Sequence, residues 1–132
     1  MSDEMQIARQ WLAKAKNDLL NADNNLAAGK VPYDTVCFHC QQAAEKLLKA
    51  YLLASGQPAP RTHDLLLLLE RVLSLNTAAE QLRDALSILV PYAVEIRYPD
   101  DWFAPSEEDA HEARGAAGQV LNWLKTARPG VL

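Results

Sequence analysis

The polar side chains with chemical reach gather in two places. In VCFHCQQAAEKLLKAYLLAS, residues 36–55, His39, Gln42 and Lys46 fall at i, i+3 and i+7, one stripe of a helix. Gln41, Glu45 and Lys49 share that polar side. Further on, Arg97-Tyr98-Pro99-Asp100 sets a guanidinium beside a rigid X-Pro turn. An arginine held that way is a fork for a phosphate or carboxylate, and Lys46 and Lys49 add positive charge. His63 and Gln42 offer hydrogen bonds to such an anion, while Tyr98 or Trp102 offers a ring on which a base can stack. Glu45 is the expected carboxylate partner of Arg97. The ligand-binding set is therefore Gln42, Glu45, Lys46, Lys49, His63, Arg97, Tyr98 and Asp100. Arg97 at a helix C-terminus is also favourable with no ligand at all. No catalytic set is complete. His63 and Arg97 are the candidates, as proton acceptor and as charge at a phosphorane, with His39 a rival base.

Other chemistries find little support. Cys37 and Cys40 are spaced C-x-x-C, but they lie mid-helix and no second cysteine pair exists. Structural zinc needs four ligands, so free core thiols are the reading. Glu107, Glu108 and Asp109 suit a helix N-terminus. Asp100 and Asp101 are adjacent, and their side chains diverge in a turn. There is no glycine-rich phosphate loop, no H-E-x-x-H and no nucleophile elbow. No metal and no cofactor are expected.

The elements that must position these residues are helices. On the central stretch Val36, Cys40, Ala43, Leu47, Tyr51 and Ala54 form one line, with Cys37, Ala44 and Leu48 beside it. So wide an apolar arc calls for more than one packing partner. A first helix spans 3–28 with Ile7, Trp11, Ala15, Leu19, Ala22 and Leu26 inward, and Gly29 follows it. Asp34 or Thr35 caps the second helix, which stops near Gly56. Thr62 caps a short third helix running through Leu65–Leu69. A capping box, Thr77 to Glu80, opens a fourth that Pro91 kinks or splits. Ser106 starts the last helix. The expected fold is all-α: one domain over 1–132, an antiparallel up-and-down bundle of four long helices plus one short.

Asp18 falls on the apolar arc of the first helix. Either the arc's edge reaches solvent there, or the carboxylate is semi-buried against Arg97, Lys46 or His39, since it would be costly unpaired. Phe38 and Leu53 break the polar side of the central helix. An apolar pair rimmed by charge marks a partner surface, and a two-fold homodimer is expected. The net charge of −4 argues against a generally basic nucleic-acid surface but not against a local basic site. The first residues show no signal-peptide core and no apolar run is long enough to span a membrane, so a cytoplasmic protein is expected.

Three segments in order carry a resemblance: FHCQQAAEKLLKAYLLASG at 38–56, RTHDLLLLLE at 61–70, and RYPD at 97–100 before an Ala-rich last helix. Together they resemble the HEPN domain family of prokaryotes over about 7 to 126. The resemblance implies a small bundle, commonly homodimeric. Its relatives often sit beside, or are fused to, a minimal nucleotidyltransferase. Many are toxin–antitoxin components, and some are metal-independent RNases. RNase members carry Arg-x4-6-His on one helix. Here Arg61 is two residues before His63 and Arg97 fourteen before His111, so that pair does not carry over. Gln42, Glu45, Lys46, His63, Asp64, Arg97, Tyr98, Pro99 and Asp100 match the RYPD-type branch, which looks like binding or accessory domains. The favoured function is a non-catalytic module binding a nucleotide or RNA phosphate, partner to a nucleotidyltransferase. The alternatives are an RNase with a rearranged site and a plain dimeric scaffold.

Overall fold

The computed structural model describes residues 3–94 and 104–132. α1 covers Asp3–Leu26 and turns its Ala8, Leu12, Ala15, Leu19 and Ala22 line inward. Those steps alternate four and three residues, which keeps the line facing its partner helix. The expected steps of four from Ile7 drift off that seam, and Ile7 is exposed while Trp11 is half-buried.

α2, Tyr33–Ala54, is the centre of the molecule, packing against α1, the last helix and the shorter helices. Neither Asp34 nor Thr35 caps it: the helix starts directly after Pro32, and Asp34 lies in its first turn. Its C-terminus closes as a Schellman motif. Gly56 sits at φ +79, its N–H reaches the Leu53 carbonyl, and the Gln57 N–H reaches that of Leu52. Glycine takes this left-handed geometry without the penalty a Cβ would bring.

α3, Leu65–Leu73, is capped by Asp64 instead of Thr62. The Asp64 carboxylate accepts from the N–H groups of both Leu66 and Leu67 at 3.1 Å. The expected long fourth helix is three short pieces: a 3₁₀ segment over Thr77–Leu82, α4 over Arg83–Leu89, and a 3₁₀ turn over Val90–Tyr92 containing Pro91. Pro91 lacks the N–H to continue an α-helix. At the other end Asn76 caps Ala78, and Glu80 pairs with Arg83 at 2.6 Å in place of the capping box.

α5, Glu107–Ala127, opens with the full Ser106–Asp109 capping box. It runs alongside α2 in the same direction, so that Tyr51 meets Trp123 and Ser55 meets Arg128 at one end. The result is an all-α bundle with three long helices, not four, and with no strand among the described residues.

Candidate functional site

Two polar rows run along α2. Gln41, Glu45 and Lys49 stand at i, i+4 and i+8 and so share one face. That face is not solvent: Gln41, Glu45 and Lys49 are 0%, 3% and 6% exposed. The expectation of an open polar side is corrected here. The connector 57–64 and Trp11 of α1 lie over it, and each polar group is matched inside. Glu45 Oε1 lies 2.8 Å from His63 Nδ1, and Lys49 Nζ donates to Glu45 Oε2 at 3.1 Å. The Lys49 ammonium also sits 5.4 Å from the centre of the Trp11 ring, a cation–π contact that suits a partly desolvated charge. Gln41 Nε2 donates to the His63 carbonyl at 3.2 Å, which fixes the connector at its last turn. Gln42 Nε2 donates in turn to Gln41 Oε1 at 2.7 Å.

The second row, His39 and Lys46, faces α1. Asp18 is 7% exposed and accepts from Lys46 Nζ at 2.6 Å and from His39 Nδ1 at 2.9 Å. The semi-buried, paired reading of Asp18 holds, with both Lys46 and His39 as partners. Lys46 is thereby committed to Asp18. The His39 ring meets Phe38 edge-on, with centroids 5.6 Å apart.

His63 differs from the groups that hold it. Its side chain is 73% exposed while its Glu45 partner is 4% exposed. A carboxylate paired with an ammonium only accepts, so the ring nitrogen facing it carries the hydrogen, and in the neutral ring Nε2 is then the acceptor. His63 stands at the mouth of a groove of about 570 Å³. One wall is apolar, from Ile7, Trp11, Leu53, Pro58 and Pro60. The other is polar, from Lys49, Arg61, Thr62 and His63. Arg61 is exposed and has no hydrogen-bond partner among the described residues.

Of the residues singled out from sequence, Glu45, Lys49 and His63 come together at this groove, and Gln42 joins them through Gln41. Lys46 belongs to the Asp18 cluster next door. Arg97, Tyr98, Asp100 and Trp102 lie outside the described residues, and so does the expected Arg97–Glu45 tie. Both Glu45 oxygens are already engaged by His63 and Lys49. Leu53 is half-buried and lines the groove, while Phe38 is half-buried beside His39. Trp11 and Arg61 are the groove residues that sequence reasoning missed, and Gln41, buried beneath the groove, is the residue it missed that holds the His63 backbone. Gln41 had a signal: on the wheel it falls between Leu48 and Leu52, inside an apolar arc.

Cys37 and Cys40 are free and fully buried. Burial pushes the Cys37 thiol up to about 11, against a hydrogen bond from Tyr92 that pulls it down. Burial with the neighbouring Cys37 pushes Cys40 to about 12. These are core thiols, poor in the reactive thiolate. Among the described residues no group of three or more His, Cys, Asp or Glu is placed to hold a metal, and no helix is long and apolar enough to cross a membrane.

An all-helical bundle with a buried polar network beneath an exposed histidine defines a compact helical module. The chain belongs to the HEPN domain family, whose model matches residues 8–127. It is similar to a crystal structure of TT1696 from Thermus thermophilus, with 34% identity and a TM-score of 0.78 over 90% of this chain and 96% of that one. None of the curated proteins matches.

Proposed function

We propose that this HEPN module binds a nucleotide or RNA phosphate in the His63 groove. In this reading it acts as a non-catalytic accessory partner of a minimal nucleotidyltransferase, in a toxin–antitoxin-like system. The observation that carries the reading is the held imidazole of His63, at the mouth of a groove that pairs Arg61 with an apolar wall. Arg61 and His63 would meet the phosphate, and Trp11 and Pro58 would lie against sugar and base. Arg97, Tyr98 and Asp100 are assigned to the same ligand by sequence alone. A cytoplasmic homodimer joined through Phe38 and Leu53 completes the proposal. The acidic net charge fits one local basic site better than a broad nucleic-acid face.

The Glu45–His63 contact favours a second reading. A carboxylate that fixes an imidazole is also how a general base is oriented, and His63 Nε2 can take the 2′-hydroxyl proton of RNA. One experiment separates the two. Purified protein is incubated with a defined single-stranded RNA in chelator, and nucleoside monophosphates are titrated separately. Saturable binding without cleavage supports the module. Cleavage that His63→Ala abolishes supports the RNase. Neither response leaves a scaffold and refutes both.

A further inference from the structure

The three histidines differ in just the two properties that govern a nucleophilic imidazole, access and orientation. His111 is exposed, at 62% of its side chain, but its nearest carboxylate, Glu107, is 3.8 Å away, beyond hydrogen-bond range. His39 is oriented by Asp18 at 2.9 Å but only 22% exposed, with Phe38 against its ring. His63 has both: 73% exposure and a 2.8 Å contact from Nδ1 to a carboxylate that is itself buried. The backbone carrying it is fixed as well, by Gln41 on its carbonyl and by Asp64 capping the helix that follows. Nε2, across the ring from Glu45, has no partner among the described residues.

We propose that His63 is a phosphoryl-accepting residue, modified at Nε2 by a small donor of the acyl phosphate or nucleoside triphosphate class. The Nε2 lone pair attacks phosphorus and the Nε2–P bond forms. The bond from phosphorus to the leaving oxygen breaks, and the carboxylate or nucleoside diphosphate departs with that electron pair. Nδ1 keeps its hydrogen, so the ring becomes a phosphorylated imidazolium. Its positive charge is met by Glu45, and the new phosphoryl oxygens lie in the groove that Arg61 also lines. Glu45 is a positioning residue in this step. The chemistry stands without the nucleotide reading. Its consequence, that the modified chain no longer binds nucleotide because the phosphoryl group fills the phosphate position, rests on that reading.

The test uses the whole chain and phosphoramidate, which donates the same phosphoryl group with ammonia leaving. Phosphorylated sites are mapped by mass spectrometry, and the ring nitrogen is identified by ³¹P–¹H coupling. The expected result is one phosphoryl group per chain, at His63 Nε2, before any at His111 or His39. Glu45→Gln, checked for retained helicity by circular dichroism, should slow the reaction by about tenfold, the low end of the effect that carboxylate partners have on metal-bound histidines. Equal labelling of His63 and His111, labelling at Nδ1, or a rate no faster than in the urea-unfolded chain would overturn the proposal. Titration of nucleotide into the unmodified protein, run in parallel, reports on the binding reading independently.

Discussion

Asp18→Ala removes the one carboxylate shared by Lys46 and His39. The Asp18 side chain is 9% exposed, and its two contacts, 2.6 Å and 2.9 Å, join α1 to α2. Deleting one partner of a buried charge pair costs about 3–5 kcal/mol, because the other charge is left buried. Two terms lower that figure. Lys46 and His39 keep 20% and 22% side-chain exposure, so water reaches them in part. Alanine is also a better helix former than aspartate, by about 0.5 kcal/mol. The net expectation is a loss of about 2 kcal/mol. For a domain of this size that lowers Tm by about 6–8 °C. Asp18→Asn keeps the shape and one acceptor and should fall between the two. The assay is urea unfolding followed by helical circular dichroism, with Lys46→Ala and the double variant closing a cycle. A change below about 0.5 kcal/mol for Asp18→Ala, the range of ordinary surface substitutions, would refute the reasoning.

Glu45→Ala should destabilise more, by about 3–4 kcal/mol, because it leaves Lys49 buried with no counter-charge; unfolding at equal loss to a surface Glu107→Ala control would contradict the burial. Gly56→Ala should cost about 1 kcal/mol through its φ of +79, read in the same urea experiment. In nucleotide titrations Arg61→Ala should weaken affinity by about tenfold, the worth of one charge-assisted hydrogen bond, and unchanged affinity would remove Arg61 from the site. The thiols set an alkaline limit. Cys37 and Cys40 titrate at about 11 and about 12 in the fold, from an ordinary 9.0. Above pH about 9 the unfolded chain releases thiol protons that the folded chain retains. Stability from this source is therefore complete below pH about 9 and lost as pH rises towards 11. The slope is about 1.4 kcal/mol per pH unit for each thiol. Replacing both cysteines with alanine should flatten it, and thiol reagents at pH 8 should react only on unfolding.

The central role of α2 was legible because an apolar arc of that width has to touch several helices. Its end at Gly56 was legible because only glycine suits the turn. Asp18 was legible as a question: a carboxylate on an apolar arc must either reach water or find a cation. The sequence did not reveal which, since both partners come from another helix. Lys49 was misread for the same reason. A lysine beside polar residues looks like surface, and it is buried here only because Glu45 and Trp11 converge on it. Arg61 carries no local signal, for it becomes part of a groove only when the connector folds over α2. The fourth helix failed at its start. Thr77-Ala78-Ala79-Glu80 fits a capping box, but Asn76 caps first and Arg83 draws Glu80 away.

The most direct test of the nucleotide-binding reading is a nuclear magnetic resonance titration of the intact chain with a nucleoside monophosphate, in chelator, following the His63 ring proton and the Trp11 indole. Both signals should shift together along one saturable curve, with His111 unmoved, and in Arg61→Ala the curve should move to about tenfold higher nucleotide. Shifts confined to other residues, or none at millimolar nucleotide, would contradict the assignment of this groove as the binding site.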